Sequence, residues 1–371
     1  MTSQPLRVGV IGCGGICGAY FSMAKNFPQI QIGACADLIL EKAQAAATTY
    51  GIQWALTVEE LLRDPAIDVV LNLTVPKAHA EISLAALNAG KHVYSEKPLG
   101  ISREQGEKII SLARSKSLRV GCAPDTFFGA GHQTARKLID DGAIGKPVAF
   151  TAFMMGRGHE HWHASPEFFY QPGAGPMFDM GPYYLTALIN LLGDVKRISG
   201  MTSIAIPQRT ISSEPLRGKT FSVTTADHVT GLMEFENGCV GSIIQSFAMR
   251  GAKNDGKSPI TIFGDRGTLR VPDPNGFDGP VFLCDFSLGD EFVEVPPAFA
   301  KGYGRAVGLA EMAEAISGNR KHRANGDLAF AVLELMQGFE DSSREEKYYR
   351  PIAKGVRPAA LKPGDAFGDL S

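Results

Sequence analysis

Lys97, Asp179 and Tyr183 are the side chains of this sequence whose surroundings suit them to moving a proton. Lys97 stands between Glu96 and Pro98, after His92-Val93-Tyr94-Ser95, which reads as a buried strand that delivers it to its carboxyl end. A lysine there is withdrawn from bulk water, and desolvation favours its neutral, proton-accepting form. A structural pairing with Glu96 is the alternative. Asp179 and Tyr183 lie in Gly173-Ala174-Gly175-Pro176-Met177-Phe178-Asp179-Met180-Gly181-Pro182-Tyr183-Tyr184, a glycine-rich approach to the apolar helix Leu185 to Leu192. Four residues apart, they share a face on a helix. Pro182 fits only in a first helical turn, which puts the helix start near Asp179. Asp179 as a plain N-cap, and Tyr183 as a core tyrosine with a satisfied hydroxyl, are the alternatives. Base, acid and phenol together suit a carbinol that loses a proton to one group while a hydride leaves the same carbon, with the ammonium of Lys97 favouring the Tyr183 phenolate. On this reading Asp179 orients the substrate or the lysine.

The hydride needs an acceptor, and Gly12-Cys13-Gly14-Gly15 could seat one. The turn follows the apolar run Val8-Gly9-Val10-Ile11 and precedes a helical stretch beginning at Ile16, the strand–turn–helix setting of a dinucleotide fingerprint. Gly12 permits the sharp turn, Gly14 lets the backbone approach a pyrophosphate, and Gly15 and Ile16 open the helix whose free N–H groups receive the anion. The third glycine of the pattern is replaced by Cys17, and Gly18 comes one place late. Asp37, at the end of Gln31 to Ala36, would accept both ribose hydroxyls and repel a 2′-phosphate, so NAD is expected over NADP. Leu38 and Ile39 offer a phosphate no cation. Asp37 as a cap for the next helix is the alternative.

The elements that must hold these residues alternate strand and helix from Leu6 to Asp125. Leu40 to Tyr50 ends at Gly51, Thr57 with Glu60 and Ser102 with Gln105 read as capping boxes, and Pro76 starts a helix that stops at Gly90. This is an α/β pattern, a doubly wound parallel sheet whose ligands gather at the strand ends. That rim collects Gly12, Asp37, Thr74-Val75-Pro76, Glu96-Lys97-Pro98 and Asp125. His79, one turn after Pro76, is expected beside the cofactor or in packing. Beyond a helix from Ala130 to Asp141, the segments Val148 to Met154, Val229 to Glu236, Cys239 to Phe247 and Ile260 to Phe263, with turns at Asn237-Gly238 and Asp265-Arg266-Gly267, predict a large, mostly antiparallel open sheet. Helices follow near Ala306 to Ser317 and Leu328 to Glu340. The expected domains are 1–125 and 126–371. Gly251 to Lys257 and the tail from Lys354 are expected to be mobile.

His159-Glu160-His161-Trp162-His163 alternates histidines, but Gly158 and Pro166 argue for a loop and no ligand partner stands nearby in sequence, so no metal is expected. Trp162 and His163 suit a sugar, ring face on C–H groups and imidazole on a hydroxyl. Asp125, Thr126 and Arg305 are further candidates for hydroxyl contacts.

The GCGG turn, the EKP tripeptide and the glycine-loop-Asp-x-x-x-aromatic segment, in that order and over nearly the whole chain, resemble the Gfo/Idh/MocA oxidoreductases. The resemblance implies an N-terminal Rossmann domain, a C-terminal α/β domain whose open sheet serves oligomerisation, catalytic roles for Lys97 and Asp179, and a cis bond before Pro98. Most members carry a histidine four residues after the acid; here Tyr183 stands there, a variant found in sugar-handling relatives.

The 371 residues exceed one ordinary core. A net charge of −2 and a pI near 6.5 gather neither nucleic acid nor an anionic membrane. No apolar run is long enough to span a bilayer, and Met1 to Pro5 lack the apolar stretch of a signal peptide, so a cytoplasmic protein is expected. Six scattered cysteines read as reduced thiols. The expected function is an NAD-dependent oxidoreductase acting on a cyclic sugar or polyol carbinol, with a ketone or lactone product, as a homo-dimer or homo-tetramer. A non-catalytic dinucleotide-binding sugar sensor, and an enzyme that retains NAD to cleave glycosides, are the alternatives.

Overall fold

Apolar runs bounded by capped helices build a parallel sheet in the computed structural model, which describes residues 4–251, 258–364, 366–368 and 370. In chain order the elements are β1 (Leu6–Ile11), α1 (Cys17–Ala24), β2 (Ile30–Ala36), α2 (Leu40–Tyr50), β3 (Trp54–Leu56), α3 (Val58–Arg63), β4 (Val69–Asn72), α4 (Pro76–Asn88), β5 (His92–Ser95), α5 (Arg103–Ser115) and β6 (Val120–Cys122). The six strands are all parallel and run β3-β2-β1-β4-β5-β6, so the crossover direction reverses beside β1. Local signals act as read. Thr57 and Glu60 form the reciprocal capping box of α3, Pro76 heads α4, and Gly51 closes α2 in the left-handed region. Ser102 caps the Gln105 amide, but the Gln105 side chain accepts from Ile101 rather than from Ser102, so that box is half made.

The remaining elements are α6 (Ala130–Asp140), β7 (Pro147–Met155), α7 (Gly175–Asp179), α8 (Gly181–Leu192), β8 (Val195–Ser203), β9 (Gln208–Thr210), β10 (Thr220–Ser222), β11 (His228–Phe235), β12 (Val240–Ser246), β13 (Ile260–Gly264), β14 (Gly267–Val271), β15 (Val281–Asp285), β16 (Val293–Val295), α9 (Val307–Ser317) and α10 (Gly326–Glu345). Eight strands form a sheet ordered β16-β15-β14-β13-β7-β12-β11-β8, antiparallel except where β12 pairs with β7. Its inward positions, such as Phe150, Ile243, Met233 and Ile262, are buried beneath helices, whereas Met201 and Leu232 on the other face are exposed.

The domain division differs from the sequence expectation. The first unit comprises 1–129, 299–333 and 358–371, and the second 130–298 and 334–357. The chain returns because α9 packs on β2, β6 and α1 and is buried along most of its length, so the first sheet needs a late helix to cover it. The tail is also anchored, contrary to the mobile segment expected from Lys354. Lys354 bonds Glu236, the Gly355 and Val356 amides donate to Asp194, and Leu370 is fully buried. Of the other segment read as mobile, residues 252–257 lie outside the described part. Among the described residues, no helix is long and apolar enough to cross a membrane.

Candidate active site

In the first unit, Gly12 has φ of +105°, and a Cβ there would stand 2.6 Å from the carbonyl of Leu73. Only glycine fits. A Cβ at Gly14 or Gly15 would meet nothing within 4 Å, which leaves that backbone open to an approaching diphosphate. Gly18 supplies the close packing that the fingerprint assigns to its last glycine, since a Cβ there would lie 2.3 Å from the Tyr50 hydroxyl. Asp37 accepts from the Cys13 amide at 2.8 Å and the Ile39 amide at 3.0 Å, clamping the turn to the end of β2 while each oxygen keeps a lone pair. It makes no cap of α2. Leu38, 96% exposed, with exposed Ile39 next to it, and exposed Ile16 and Val75 after β1 and β4, leave the rim aliphatic rather than cationic, a wall for a flat base that the sequence reading noted only as missing charge.

The ends of β4 and β5 are tied together. Asn72 accepts from the Thr74 hydroxyl at 2.7 Å and donates to the His79 carbonyl at 3.0 Å. His79 is 1% exposed, and its ring nitrogens lie 2.6 Å from the Pro98 carbonyl oxygen and 2.9 Å from that of Thr74. Burial lowers its pKa, although both carbonyls favour the charged ring. Of the two places expected for His79, the enclosed ring takes the packing one, which corrects the cofactor contact, and it holds the two loops in place. Glu96 is corrected in the same way. Its carboxylate accepts from Tyr20 Oη at 2.7 Å and from the Lys97 amide at 3.0 Å, so it fixes the Lys97 backbone instead of meeting a ligand. The Lys97–Pro98 bond is cis and Lys97 itself is half-buried.

Asp125 and Thr126 do not present groups to a substrate either. Asp125 is fully enclosed, with Arg305 at 3.5 Å and the Gly308 amide at 3.3 Å, and burial pushes its pKa up to about 6. Thr126 is also buried. Arg305 keeps some exposure and is the member of this group that a ligand could reach.

In the second unit the helix expected to start near Asp179 is two helices. Pro176 heads α7 and Pro182 heads α8, with Met180 between them as the N-cap of α8, so Asp179 ends the first helix and caps neither. Its carboxylate turns to His159, whose Nε2 lies 3.0 Å from Asp179 Oδ2. Tyr183, in the first turn of α8, is buried.

His159 belongs to a loop that is pinned from below. Tyr170 accepts from the His159 amide at 2.9 Å and donates to Glu160 at 2.5 Å. Arg209 joins Glu160 at 2.8 Å to Asp227 at 2.7 Å, all three buried, and its guanidinium covers the Tyr170 ring at 4.6 Å. Glu160 and Arg209 together raise no alarm of unpaired buried charge, since every carboxylate here has its cation. Gly158, at φ of +97°, sits where a Cβ would fall 2.3 Å from the Tyr170 hydroxyl and 2.4 Å from Glu160. Above this base, Trp162 is 58% exposed, and Phe168 is exposed with its ring 4.0 Å from that of Phe169. His163 is held by Ser165, whose amide donates to Nδ1 at 3.0 Å. His159 and His163 have different partners, His161 Nδ1 is buried without one, and among the described residues no three His, Cys, Asp or Glu side chains group as a metal site. The Arg209–Glu160–Asp227 network and Tyr20 escaped the sequence reading, as no motif marks them.

Residues 6–123 match the model of an oxidoreductase family with an NAD-binding Rossmann fold, and residues 132–270 match the GFO/IDH/MocA C-terminal domain. The chain belongs to the Gfo/Idh/MocA family. Its first unit is thus an NAD-binding Rossmann domain, and Gly12, open Gly14 and Gly15, and Asp37 fit that group as they stand. Within this oxidoreductase family, the chain is 28% identical to a levoglucosan dehydrogenase of Pseudarthrobacter phenanthrenivorans, over 68% of its own length and 70% of the relative's. It is 29% identical to an uncharacterised oxidoreductase of Schizosaccharomyces pombe, but spans only 52% of that protein. A solved structure of a levoglucosan dehydrogenase with NADH and L-sorbose shares the fold, with a TM-score of 0.81 at 23% identity over 94% of this chain and 99% of that one.

Proposed function

We propose that this Gfo/Idh/MocA protein oxidises a carbinol of a cyclic sugar or polyol, with NAD taking the hydride. The observation that carries the reading is the Asp179–His159 pair at 3.0 Å beside exposed Trp162 and Phe168. Hydrogen-bonding groups beside aromatic faces suit a ring with hydroxyls on its rim and C–H groups on its flats. The levoglucosan dehydrogenase relative supports the same substrate class. In this reading Lys97 and Tyr183 engage the reacting hydroxyl and pass its proton on, while Asp179 orients the substrate. Trp162 and His163 take the sugar's outer face, and Arg305 bonds a further hydroxyl. The bound nicotinamide supplies the acceptor for the hydride. Lys97 and Asp179 are both retained, as an enzyme requires and a mere sugar sensor does not.

Exposed Met201 and Leu232 on the open sheet face support a homo-dimer or homo-tetramer. The six free cysteines, five of them buried, support a reducing compartment such as the cytoplasm.

The test is a panel of aldoses, pentoses, inositols, glycosides and anhydrosugars with NAD and with NADP, followed by absorbance of the reduced cofactor. We expect turnover with NAD on at least one class and its loss in Lys97→Met. Silence across the panel with tight NADH binding would favour the sensor.

A further inference from the structure

Asp179 is a carboxylate and accepts only, so the proton in its bond with His159 belongs to Nε2. The lone pair of the neutral ring is then on Nδ1. That atom makes no hydrogen bond within the described protein, and it is not among the enclosed polar atoms left without a partner, so it is accessible. The ring cannot turn to hide it. Phe169 stands edge-on at 4.0 Å, Phe247 at 4.5 Å and Trp162 at 5.2 Å, and the His159 amide is tied to Tyr170. An imidazole whose tautomer is set by an acid on one nitrogen, with the other nitrogen open, is the arrangement of a general base.

We propose that His159 is the acid–base imidazole of the reaction, with Asp179 as its orienting carboxylate. When the carbinol is oxidised, the C–H electron pair leaves as hydride to the nicotinamide and the O–H bond breaks as the C=O bond forms. The released proton forms an N–H bond at His159 Nδ1. The imidazolium so formed is held by Asp179 and returns the proton to water or, in the reverse direction, to the substrate. This assignment rests on the dehydrogenase reading above.

Two measurements test it. In the whole protein loaded with NAD, nitrogen-15 NMR of labelled histidines should find His159 in the tautomer that carries its proton on Nε2, with Nδ1 bare; a proton fixed on Nδ1 overturns the proposal without any variant. In kinetics with a sugar from the panel, His159→Gln keeps a donor for Asp179 but has no base. It should lose about 10²- to 10⁴-fold in kcat while NADH fluorescence shows unchanged cofactor binding. Added imidazole should restore at least about tenfold to His159→Ala, which a merely structural role would not allow. A wild type that turns over sugars with His159→Gln equally fast overturns the proposal alone. A wild type that reduces NAD with none of them overturns the dehydrogenase reading and this proposal with it.

Discussion

Tyr183→Phe deletes one hydroxyl from a buried ring and leaves the apolar packing of α8 in place. Its expected effect is a fall in kcat of about 10²-fold with NADH affinity within about twofold, read by steady-state kinetics and fluorescence titration. Asp125 allows a second prediction. Its folded pKa, about 6, lies above the ordinary 3.8, so the native state keeps a proton that the unfolded chain gives up between these values. The group therefore contributes stability at low pH, and that contribution is lost as pH rises through about 6, an effect of about 3 kcal/mol. Asp125→Asn should lack this slope, so that wild type minus variant stability declines from pH 4 to pH 7 in thermal melts. Gly12, Asp37, Lys97 and Asp179 could be named as candidates from the sequence because each belongs to a short local pattern. Glu160 and Asp227 could not, since their shared cation Arg209 lies 49 and 18 residues away and only the folded sheet brings them together.

Helix α9 shows how one element is fitted to the sheet it covers. Gly308 lies in its first turn, where a Cβ would stand 2.1 Å from the Tyr94 hydroxyl, and that hydroxyl is buried without a partner. Alanine normally favours a helix over glycine by about 1 kcal/mol, but the clash reverses the sign here. Gly308→Ala should lose about 1–3 kcal/mol, read as a lowered melting temperature. Tyr94→Phe should be neutral or stabilising and should recover part of that loss in the double variant, the rest remaining because the added Cβ would still stand 2.9 Å from the Asp125 Cβ. Most helices and the long strands were legible from periodicity and caps. The break between α7 and α8 was not, because a proline at either end of Pro176 to Pro182 can head a helix, and the reading used only the second. Short strands such as β9, β10 and β16, three residues each, carry too little alternation to stand out.

At the scale of the molecule, buried neutral histidines govern the acid response. His132 in the second unit and His322 in the first are both pushed down to about 4 by burial. Each contributes stability that is complete above the ordinary value of 6.5 and is lost as pH falls towards 4, about 3 kcal/mol apiece. The His132→Asn, His322→Asn double variant should lose less stability than wild type between pH 7 and pH 5 by thermal melting. The two-unit organisation and the α/β class were legible, but the return of the chain to the first unit was not, because an apolar helix carries no mark of which sheet it covers. That return governs the order of assembly during vectorial synthesis. The sheet translated first lacks α9 until the ribosome is past Ser317, and it also waits for Leu370, whose carbonyl takes bonds from Arg320 and Arg323. The strands made earliest, within residues 1–129, thus stay uncovered until residues made much later join them.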